Sequence, residues 1–178
     1  MTWTSFHRRG EVLRQVIAAA DRRRDGILPS DIDGVSETFA DDLDLLAALQ
    51  LKWHTRLAGR IEREQLSQPM DLRAAVVRAW HRTADELPGL RAVLDEARRR
   101  PADAGTAEIM RKSAAKEHVL LAVMAGEASA HDARAAAAGA RIEAEAQATW
   151  SPYGGHGHAP DPAERPTFLG RLKAALAA

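Results

Sequence analysis

Five side chains stand where a helix pattern calls for apolar residues, or at the edge of such a stripe: His54, Glu64, His81, Glu117 and His118. Imidazole and carboxylate groups brought together inside a bundle are ligands for iron, manganese or zinc, so these five are the candidate metal or buried polar cluster. A second, more ordinary chemistry competes for the same residues. A flank His hydrogen-bonds a backbone carbonyl, and a Glu entering a buried segment pairs with an Arg. The spacing bears on the choice: ferritin-like di-iron proteins use Glu-x-x-His, and no Glu lies three residues before a His on the helices expected here. Glu117 and His118 are adjacent, so on a helix they diverge by about 100°. No catalytic residue and no cofactor are therefore expected, with iron, manganese or zinc as the alternative should the five side chains converge.

Other metal-like patterns are weaker. Asp21-x-Arg23-x-Asp25-Gly26 imitates the opening of an EF-hand loop, but Arg23 replaces an oxygen ligand and Ile32 stands where the closing Glu belongs. His156-Gly157-His158 sits in a Gly/Pro-rich stretch and reads as a tether. The chain contains no Gly-rich phosphate loop and no Gly-x-Ser-x-Gly elbow. It has no Cys at all, which removes disulfides, thiolate zinc sites and a cysteine nucleophile.

Charge narrows the partners. Lys plus Arg balance Asp plus Glu at 25 each, so no net field draws a polyanion, and dedicated nucleic-acid binding is not expected. The charges are nonetheless segregated. An acidic stretch from Asp25 to Asp44 lies between Arg22–Arg24 and the Lys52/Arg56/Arg63 edge, either pairing across the fold or presenting a patterned face to a partner. The longest apolar run, Val119 to Ala125, is too short to span a bilayer, and the N-terminal residues lack the apolar core of a secretory signal. A cytoplasmic protein is expected, and its Ala/Arg-rich usage suits a high-GC bacterial source.

Helices must position these groups. Apolar residues recur at helical spacing in six stretches, roughly 5–24, 41–68, 71–87, 90–100, 106–125 and 129–150, with no strand alternation and no sustained heptad. Thr38, Asp71, Thr106 and Ser129 are the expected N-terminal signals. Residues 27–37 read as a loop, and the run 119–125, apolar all round, is expected to be the most buried segment. The reading is all-α: a bundle of about six helices over 1–150, a flexible Pro/Gly linker over 151–166, and a short amphipathic helix over 167–178. Ala-rich faces near 135–140 permit close approach of a neighbouring helix, or a homodimer.

The terminal segment carries Phe168, Leu169, Leu172 and Leu176 on one side, with Arg171 and Lys173 elsewhere on its surface. Such a helix either enters a groove on a protein partner or folds back as a seventh helix of its own bundle. The layout of helical body, Pro/Gly tether and short apolar C-terminus is similar to that of proteins carrying cargo-loading peptides for protein shells. The function expected from the sequence is a non-enzymatic interaction or adaptor protein. A metal-binding bundle or metalloenzyme is the alternative.

Overall fold

The computed structural model of the chain describes residues 3–151, with side chains from residue 7 onward. The tether at 152–166, the terminal segment with Phe168, Leu169, Leu172 and Leu176, and the His156/His158 pair lie outside the described residues. Those described form seven helices and no strands: α1 (Trp3–Arg23), α2 (Val35–Thr38), α3 (Asp42–Ser67), α4 (Leu72–Glu86), α5 (Pro88–Arg99), α6 (Ala104–Met124) and α7 (Ala135–Thr149). The all-α bundle expected from periodicity is what forms, with the single-turn α2 as an addition that overlaps the end of the expected loop. No helix among the described residues is long and apolar enough to cross a membrane.

Local chemistry sets the boundaries. Asp41 accepts from the Asp44 N–H at 2.7 Å, Asp71 from Ala74 at 3.0 Å and Asp103 from Thr106 at 2.7 Å, so an Asp caps α3, α4 and α6. Two of these correct the sequence reading. The caps fall on Asp41 rather than Thr38 and on Asp103 rather than Thr106, because in each case the Asp sits three residues before an unsatisfied helix N–H. The start of α7 also moves, from Ser129 to Ala135. Ser129 and Asp132 are consumed by a turn in which Asp132 N–H bonds Ser129 O and the Asp132 carboxylate accepts from Arg134 N–H.

Helix pairs α3/α4, α6/α7 and α1/α5 make the most extensive contacts. Their shared core contains Leu49, Trp53, Leu57 and Ile61 of α3, Val76 and Trp80 of α4, Leu90 and Leu94 of α5, Leu121 of α6 and Ile142 of α7, all buried. Trp53 and Trp80 meet edge to face at 5.9 Å, and Trp150 caps the pair from beyond α7 at 5.8 Å from Trp80. The run 119–125 is only partly the buried segment expected: Leu121, Ala122 and Ala125 are buried, while Val119, Leu120, Val123 and Met124 are half-covered. Among the described residues, α6 packs most extensively on α7 and less so on α3, α4 and α5.

Two glycines set how closely helices approach. A Cβ on Gly89 would lie 2.0 Å from the Ala20 carbonyl oxygen, and one on Gly139 would lie 1.7 Å from the His118 carbonyl oxygen. Both contacts are to backbone, which has no rotamer to yield, so α1/α5 and α6/α7 cross where only Gly fits.

Candidate functional site

Glu117 is fully buried at the centre of the bundle, and its carboxylate is shared among four donors. Oε1 accepts from Trp53 Nε1 at 2.9 Å and from Arg91 Nη1 at 3.4 Å; Oε2 accepts from Arg98 Nη2 at 2.8 Å and from Gln50 Nε2 at 3.2 Å. Arg91, only 1% exposed, continues the network. Its guanidinium donates to Glu143 Oε1 at 2.9 Å and to both oxygens of Asp95, and it lies 4.9 Å from the Trp53 ring centre and 5.2 Å from that of Trp80. Arg98 Nη1 adds a second donor to Glu143 Oε1 at 3.0 Å, and His118 Nε2 stands 2.6 Å from Glu143 Oε2.

The electrostatics follow from these partners. Burial alone works against a charge on Arg91, yet Asp95, Glu117 and Glu143 hold the guanidinium more firmly protonated than usual. For Glu143 burial pushes upward, but the hydrogen bond with His118 and the charges of Arg91 and Arg98 outweigh it and bring the carboxyl down to about 2. The network joins α5, α6 and α7 through paired Arg, Glu and His side chains and ties in α3 through the neutral donors Trp53 and Gln50. Such a centre holds helices in register. The oxygens of Glu117 and Glu143 are engaged by protein donors.

The other sequence candidates are dispersed. Glu64 is buried on α3 and faces Arg78 Nε at 3.5 Å and Arg82 Nε at 3.2 Å. His81 Nε2 lies 2.9 Å from the Ala146 carbonyl oxygen and 3.2 Å from Thr149 Oγ1. His54 is half-buried on α3. Glu117 and His118 share one network without sharing a point: Glu117 faces the core Trp and Arg groups while His118 turns to Glu143 on α7. Among the described residues, no group of three or more His, Asp or Glu side chains is placed to hold a metal ion.

Arg91, Arg98, Asp95 and Glu143 were absent from the sequence candidates. A signal for the arginines exists: Arg91 and Arg98 are seven residues apart, flanking the Leu90/Leu94 stripe of α5, so a helical wheel puts both beside the core. Glu143 follows Ile142 and lies four residues after Gly139 on the Ala-lined face of α7, where the small neighbours gave little apolar contrast.

Outside the core, a groove of about 430 Å³ opens between the loop before α2, the start of α3, the C-terminal half of α5 and the start of α6. Its floor is apolar, formed by Leu28, Leu43, Leu46, Val93 and Ala97, and Ile27 stands on it with 62% of its surface exposed. Asp41, Asp42, Glu96 and Asp103 also line it, against the single cation Arg100. Asp41 and Asp103 are the helix caps described above, and Glu96 pairs with Arg99 and Arg100. This is the acidic stretch of the sequence brought against apolar surface from α5.

No protein family, curated protein or solved structure matches the chain.

Proposed function

We propose that the protein is a non-enzymatic interaction protein that takes an amphipathic helix, basic on its polar side, into the groove between α3, α5 and α6. The observation that carries this reading is the groove itself: an apolar floor of Leu28, Leu43, Leu46, Val93 and Ala97, left open beside four carboxylates and one guanidinium. Helix-in-groove recognition needs an apolar trough for side chains spaced i, i+3 and i+4, and charge at its edge to set orientation. The interior polar network supports the same reading from the other side, since its groups are committed to one another.

The test is capture of a partner by the full chain, compared with the double variant Ile27→Lys/Asp42→Lys. Both positions are exposed and neither side chain is part of the buried core, so the bundle should still fold cooperatively. A partner held by the wild type, released by salt and lost by the variant supports the groove as the binding surface. A partner held equally by both chains refutes it.

A further inference from the structure

We infer that the groove's resident occupant is the chain's own segment 167–178, which docks there in cis and must be displaced by any partner. The inference rests on the groove being a helix-binding surface, and it is carried by complementarity and by reach. Phe168, Leu169, Leu172 and Leu176 supply apolar side chains at helical spacing for the floor, while Arg171 and Lys173 bring positive charge to a groove whose own lining is acidic by four groups to one.

Reach follows from where the described chain stops. Trp150 Nε1 donates to Asp85 Oδ1 at 2.9 Å, so the chain leaves α7 beside the end of α4, next to the start of α5 at Pro88. The groove is built on the other end of that helix, at Val93, Glu96, Ala97 and Arg100. The 12 residues of α5 rise about 18 Å. The 16 residues from 151 to 166 can cover at most about 50 Å, well beyond that rise. A segment within reach on the same chain docks intramolecularly, at an effective concentration in the millimolar range. Even a weak intrinsic affinity then keeps the groove filled.

Two measurements on the full-length chain decide the matter. In hydrogen exchange, amides of 168–177 should exchange at least about tenfold more slowly than those of the tether, and the slowing should vanish both in Leu172→Asp/Leu176→Asp and in Ile27→Lys/Asp42→Lys. In binding, a labelled peptide of sequence 167–178 should bind the Leu172→Asp/Leu176→Asp chain at least about tenfold more tightly than the wild type, whose groove is already covered. Salt should weaken that binding.

Equal exchange along the whole of 152–178, together with no peptide binding to the tail variant, overturns the inference. Protection of 168–177 that survives the groove substitutions overturns it as well, by placing the tail elsewhere. Failure of the groove reading looks different: a captured protein partner would then be indifferent to Ile27→Lys/Asp42→Lys, whatever the tail does.

Discussion

At the scale of single residues, Arg91 is the side chain on which most of the interior depends. It is the cation shared by Asp95, Glu117 and Glu143, and its removal leaves the buried Glu117 and Glu143 with Arg98 as their one remaining guanidinium partner. Arg91→Leu should therefore destabilise by about 3 to 5 kcal/mol, read as a drop in the urea midpoint. Adding Glu117→Leu to it should cost less than the sum of the two single changes, because the second substitution removes a buried carboxylate that the first had deprived of one of its two guanidinium partners. Strict additivity would mean that the pair is not coupled. The sequence showed Glu64 within an apolar stripe and Glu117 at the entrance to an apolar run, and both are buried. It did not show their partners, since an Arg beside a stripe has the same pattern whether its head reaches water or turns inward.

Glu143 gives the same network a pH dependence with a definite sign. Its carboxyl titrates at about 2 in the folded chain against 4.5 ordinarily, so the unfolded chain binds the proton more readily. The stabilisation it supplies is complete above about pH 4.5 and is lost as pH falls towards 2, on the order of 3 kcal/mol in all. Wild type and Glu143→Gln should differ most in urea stability near neutral pH and converge in acid. Parallel curves across that range would remove Glu143 as a source of acid sensitivity.

Among the elements, the helices were legible because apolar spacing was sustained, and their ends were less so because several polar residues compete for each cap. Thr38 and Asp41 both satisfy the local rule, and the structure uses the one whose carboxylate reaches the Asp44 N–H. The start of α5 follows a different rule. Leu87 at its N-cap offers no side-chain acceptor, and Asp21 of α1 takes the Gly89 N–H instead at 2.7 Å. Burial raises the Asp21 carboxyl, against the lowering effect of the N–H groups of Gly89 and Leu90. No pattern within α5 predicts a cap that comes from 68 residues away. The same crossing makes Gly89 irreplaceable. Gly89→Ala and Gly139→Ala should each destabilise by about 1 to 3 kcal/mol or more, although Ala is intrinsically the better helix former. Thermal melts showing either variant at or above wild type would mean that the helices separate easily at these crossings.

For the molecule as a whole, the all-α class followed from composition and period. The placement of the acidic stretch against α5 did not, because it depends on α1 and α5 crossing so that the loop after α1 lies along the later helix. Gly26 marks this contact: a Cβ there would meet the Glu96 Cβ at 3.2 Å. The groove is thus a product of tertiary packing between segments that look unrelated in sequence, and any ligand bound only by the folded groove adds to the stability of the bundle that forms it. With a cis equilibrium of about ten to one in favour of the docked tail, that linkage is worth about 1.4 kcal/mol. Leu172→Asp/Leu176→Asp should therefore lower the unfolding free energy of the bundle by this amount, although neither residue belongs to α1–α7. The sharper expectation is for the cycle: once Ile27→Lys/Asp42→Lys has closed the groove to the tail, the tail substitutions should cost nothing further. A tail effect that persists undiminished on the groove variant would place its contact on another face of the bundle.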